Sequence, residues 1–122
     1  MALTHNTDLR NDFCDEVNAS INVNPPGSFI LLVGVSEVAT MVLSNPAFDA
    51  SASGQMDLDV TPEPTDSDAA GNAAPVETFD FVDGDAKVIF SGVVGTDVTL
   101  TKAIIATDDI VKLTSFTYIA TQ

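Results

Sequence analysis

At 122 residues the chain has the length of one domain, and with 45% apolar residues it can bury a single core. Four basic residues against 18 acidic ones give a formal charge of −14, which repels phosphate backbones and argues against nucleic-acid binding. The lone cysteine, Cys14, cannot close an internal disulfide, and the lone histidine, His5, lacks the second histidine or paired cysteines of a zinc site.

In chain order, residues 1–12 are polar and show no basic start followed by an apolar run, so no signal peptide is expected. The most apolar segment, 29–35, is far shorter than the roughly 20 residues that span a bilayer, so a soluble, cytoplasmically synthesised product without membrane contact is expected. A helix is predicted over 8–21. Leu9, Phe13, Val17 and Ile21 recur at every fourth residue and form one apolar stripe, expected to be buried, with Arg10, Asn11, Asp15, Glu16 and Asn18 facing away. Asn6 or Thr7 can cap its start, Asp8 and Asp12 suit the positive end of the helix dipole, and Asn22, Asn24 and Pro25-Pro26-Gly27 end it. A single helix in a chain otherwise reading β either plugs one end of a sandwich or docks onto a partner. Cys14, within it, reads as a small buried hydrophobe.

The run Phe29-Ile30-Leu31-Leu32-Val33 predicts a strand buried on both faces. Residues 38–43 predict a second strand, with Ala39 and Met41 on one side and Val38, Thr40 and Val42 on the other. Ser44-Asn45-Pro46 turns the chain into Ala47-Phe48, and 55–60 alternates, with Met56, Leu58 and Val60 inward and Asp57 and Asp59 outward. Residues 61–75, with Pro62, Pro64 and Pro75, predict a long acidic loop that serves as an interface arm or is mobile. From 76 to 118, runs at 76–82, 87–94, 97–103 and 110–119 are separated by turns at Asp83-Gly84-Asp85, Gly95-Thr96 and Thr107-Asp108-Asp109. This last third is expected to form one core wall of antiparallel strands, and the earlier part the opposite wall.

No catalytic set emerges. His5 sits in a polar tail without partners for general-base work. Acidic pairs at Asp57/Asp59, Asp66/Asp68, Asp83/Asp85 and Asp108/Asp109 read as solvated turns, and 80–85 does not match the calcium-loop spacing. Asn18-Ala19-Ser20 fits a glycosylation sequon but lies within the predicted helix. There is no glycine-rich phosphate loop and no nucleophile elbow, so neither enzymatic activity nor a metal or other cofactor is expected.

A helix beginning Leu9-Arg10-Asn11 with Asp15, a Pro46-Ala47-Phe48 segment leading to Gly54, and then 82–88, 92–100 and 111–118 together resemble small structural proteins of tailed-bacteriophage virions. Ala106-Thr107-Asp108-Asp109 departs from that pattern, where a glycine turn would precede the last strand. The resemblance implies a mainly β fold: an antiparallel, jelly-roll-like β-sandwich over 1–122 with one short N-terminal helix. It also implies a non-enzymatic capsid decoration or cement protein on the capsid exterior, bound to the major capsid protein and self-associating as a homotrimer. Alternatives are a tail, neck or fibre component, and a small receptor- or carbohydrate-binding sandwich.

Overall fold

A computed structural model describes residues 5–95, 98 and 104–120. The chain opens with α1 (Thr7–Ile21), followed by β1 (Ser28–Val33), β2 (Ser36–Val42), β3 (Gln55–Asp57), β4 (Thr65–Asp66), β5 (Thr78–Val82), β6 (Val88–Val93), β7 (Val111–Lys112) and β8 (Thr117–Ile119). The molecule is therefore mainly β with one N-terminal helix. β2-β1-β5-β6 form a four-stranded antiparallel sheet, and β3–β8 and β4–β7 form two-stranded antiparallel ladders.

Asn6 starts the helix, its Oδ1 accepting from the Leu9 N–H at 2.8 Å and satisfying one of the donors a helix start leaves free. The face that the helix buries differs from the expected stripe. Cys14 and Ile21 are buried, Val17 packs on the core and Arg10 is half-buried, whereas Leu9 and Phe13 are each 51% exposed. The reason is geometric. Each residue advances the helix by about 100°, so a strict fourth-residue spacing drifts by about 40° per step and carries Leu9 about 120° away from Ile21. The 4-3-4 series Arg10, Cys14, Val17, Ile21 keeps pace with the turn and stays on the core.

Strand register sets the core. Met41, Phe29, Phe81 and Phe90 form one rung across the four-stranded sheet, and Ala39, Leu31, Phe79 and Gly92 the next. Phe81 stacks on Phe90 at 4.5 Å between centroids. From outside the sheet, Phe116 and Phe48 reach Phe81 at 4.9 and 5.8 Å and close the core in a second layer. Met56 of β3, paired with Tyr118 of β8, is buried in that layer.

The two-wall expectation is corrected by the pairing. β1 of the early half and β5 of the late half are neighbours in one sheet, and both ladders also join an early strand to a late one. The 29–33 run is buried on one face only: Phe29 and Leu31 are enclosed, while Ile30, Leu32 and Val33 are partly exposed. β3 is shorter than the 55–60 reading, because Leu58 leaves the ladder for an isolated bridge to Phe48. The 110–119 run is split into β7 and β8. The expected strand 97–103, like Thr96 of the preceding turn, lies outside the described residues except for Val98, which is buried and bridges Val94.

Residues 61–75 are more than a loop. β4 lies within them, Ala69 is fully buried, and the segment lies along β2: Asp66 Oδ2 accepts from the Thr40 N–H at 2.8 Å and the Gly71 N–H donates to Val38 O at 3.1 Å. Asp66 is drawn upward by burial, but the Thr40 N–H, then the Asp68 N–H and side chain, more than offset this and hold its carboxyl below the ordinary carboxylate value. In Ala106-Thr107-Asp108-Asp109, which departs from the glycine turn of the resembled pattern, Asp108 adopts φ +66 and closes the turn, a conformation that aspartate tolerates better than most residues.

Candidate interaction surface

The helix is fastened to the core by polar side chains along one flank. The Asn18 amide donates from Nδ2 to Phe48 O and accepts at Oδ1 from the Phe48 N–H, both at 3.2 Å, so it pairs with the backbone as a neighbouring strand would. Asn22 Oδ1 accepts from the Ala47 N–H at 3.1 Å, and Asn11 Oδ1 from the Gly54 N–H at 2.8 Å. Arg10 Nε donates to Ala120 O at 3.3 Å. Its guanidinium lies against Gly54, where a Cβ would fall 2.4 Å from Arg10 Cζ and where φ is +75, so glycine meets both demands at that position.

Held in this way, the helix leaves a shoulder of large apolar side chains in water. The Phe13 ring stacks on Tyr118 at 6.3 Å, and Tyr118 meets Phe90 edge-on at 5.1 Å, so the shoulder runs from Leu9 and Phe13 onto the sheet layer. Beside it runs an acidic row. Asp12 and Glu16 stand three residues on from Leu9 and Phe13, and Asp8 one turn before Asp12; all three are exposed and form no hydrogen bond or ion pair among the described residues. Asp15, further round, accepts from Ser51 Oγ at 2.7 Å.

The titratable groups beneath the shoulder are held neutral. Burial pushes the Cys14 thiol up, outweighing the lowering effect of the Ala120 backbone, with Asp15 adding to the rise. Burial likewise raises the Tyr118 phenol, with a further contribution from Cys14. A protonated, fully enclosed thiol is a packing group.

The other residues singled out in the sequence fall elsewhere. His5 is exposed just ahead of the helix. Asp57 Oδ1 accepts from Thr117 Oγ1, Asp59 Oδ1 from the Thr61 N–H and Asp109 Oδ2 from the Ala106 N–H. Asp83 is buried, and its Oδ1 accepts from the Asp85 and Lys87 N–H groups, each at 2.9 Å, while Asp85 Oδ2 accepts from Asn24 Nδ2 at 2.7 Å. These carboxylates tie turns and strand ends. Among the described residues no three His, Cys, Asp or Glu side chains are grouped to hold a metal ion. The Asn18 amide of the sequon is occupied on both its nitrogen and its oxygen.

The asparagine flank and the acid-bordered shoulder were not singled out in the sequence, although one signal was present. Asparagine is a poor helix former, and Asn11 and Asn18 within the helix, with Asn22 at its C-cap, imply side-chain bonds that repay the cost. Among the described residues no helix is long and apolar enough to cross a membrane. Compared with protein-family models, with curated proteins and with solved structures, the chain matches none.

Proposed function

We propose that the chain is a non-enzymatic structural protein of a tailed-phage virion: a capsid decoration protein that binds the outside of the shell, reinforces it, and acts as a homotrimer. The observation that carries this reading is the contrast within α1. The helix is fastened to the core by four polar side chains yet presents Leu9 and Phe13 half in water, the arrangement of an attachment device on a rigid support. The charge of −14 suits an outer surface better than contact with packaged DNA. The resemblance of residues 46–54, 82–88, 92–100 and 111–118 to small virion proteins supports the same reading. A short chain that ties neighbouring capsomers together does so by repeating a weak contact at symmetry axes, and a homotrimer on a three-fold axis is one such arrangement.

Copy number tests the proposal. Quantitative mass spectrometry of purified particles should find hundreds of copies. A dozen or fewer would reject decoration and leave a tail, neck or fibre component, and absence from particles would reject both.

A further inference from the structure

We propose that the Leu9–Phe13 shoulder, continued by Tyr118, docks into an apolar slot bordered by lysine or arginine on a partner protein. The inference rests on the attachment reading only in sharing its surface. Two half-exposed apolar side chains on a firmly held helix, one stacked on a tyrosine, form a preorganised apolar ridge that loses little freedom on binding. The acidic row identifies the partner. Asp8, Asp12 and Glu16 follow one another at four-residue intervals, a like-charge series that destabilises the free helix, and none meets a cation among the described residues. Arg10, the one cation of the helix, is turned away toward Ala120. A basic rim on the partner relieves this repulsion and steers the encounter, while the apolar slot covers Leu9 and Phe13. A second copy of the chain meets the requirement poorly, because with four basic residues against 18 acidic ones it has little from which to build a basic rim.

A displayed library of random peptides, selected on the immobilised full chain and counter-selected on Phe13→Ser, tests the partner chemistry without any particle. Enriched peptides should carry apolar residues flanked by lysine or arginine. A synthetic copy should bind the Phe13→Ser and the Asp12→Lys/Glu16→Lys proteins about tenfold or more weakly, and bind the native protein more weakly as salt rises. Phe13 and the two acids are exposed enough for these variants to stay folded and melt within a few degrees of the native protein, which is checked alongside. No enrichment, enrichment of peptides without basic residues, or equal binding to the variants would overturn the proposal. Sedimentation in which Phe13→Ser turns an oligomer into a monomer would overturn it too, by showing that a second copy covers the face. Particles that keep hundreds of copies of Phe13→Ser would remove the docking surface and leave the virion reading standing. Basic-peptide binding by a protein absent from particles would do the reverse.

Discussion

Two aromatic clusters of this molecule differ only in whether a second wall stands against them. Around Phe81, the rings of Phe29, Phe48, Phe90 and Phe116 lie between 4.5 and 5.8 Å away, and Phe29, Phe48, Phe79 and Phe81 are closed from solvent on every side. At the helix shoulder, Phe13 has one ring neighbour, Tyr118, and half its surface in water. The residue type is the same. What a phenylalanine contributes is therefore set by what faces it: enclosed rings hold the fold together, and an open ring is available to something else.

Of four measurements, three bear on that contrast and one probes the covered edge of β2. The largest effect is expected from Phe81→Ala, which empties the centre of the closed cluster and should cost about 3–5 kcal/mol by chemical denaturation. A loss below about 1 kcal/mol would mean that the enclosed cluster does not hold the sheet and the second layer together. Next is the joint between the two regions. Asn18→Ala leaves the Phe48 N–H and C=O without their helix partner and should cost about 1–3 kcal/mol, with hydrogen exchange at Phe48 rising before exchange at Phe29. Simultaneous exchange at the two sites would show that the helix and the sheet open as one unit.

The third measurement concerns Asp66, away from both clusters. Its folded carboxyl lies below the ordinary value, so its contribution is present above about pH 4 and is lost as pH falls through the lower folded value. Asp66→Asn should lower stability at neutral pH by on the order of 1 kcal/mol and flatten the acid limb of a melting-temperature profile. An unchanged limb would place the acid sensitivity in other carboxylates. The smallest effect is expected from Phe13→Ala, about 0.5 kcal/mol, because half of the ring is already solvated. A loss comparable to that of Phe81→Ala would close the open cluster and withdraw the docking surface.

Local signals carried much of this fold. The Asn6 cap, the Asp83-Gly84-Asp85 turn, the Ala39/Met41 alternation and the inward Met56 and Leu58 follow from short-range chemistry and are found where the residues predict them. Pairing partners did not follow, because β1 meets β5 across a long stretch of chain and no local pattern encodes that choice. The buried helix face differs from the apolar row because Leu9, Phe13, Val17 and Ile21 are regular in sequence but wind around the cylinder. Arg10, an unlikely occupant of a buried row by composition, is seated by a carbonyl and a glycine more than forty residues away. The same long-range dependence explains 61–75. Its prolines and acids deny it a central strand, yet the free edge of β2 accepts it through Asp66 and Gly71.

That edge has a consequence for how copies of the protein meet. A sheet grows by recruiting strands from other molecules wherever outward amide and carbonyl groups lie bare, the route by which β-proteins form fibres. On β2 the Thr40 N–H and the Val38 carbonyl are already engaged by the chain's own 66–71 segment. Strand recruitment on that side is blocked at those positions. On that side, crowded copies meet through side chains, and side-chain contacts can close into a finite ring where an open backbone ladder would propagate without limit.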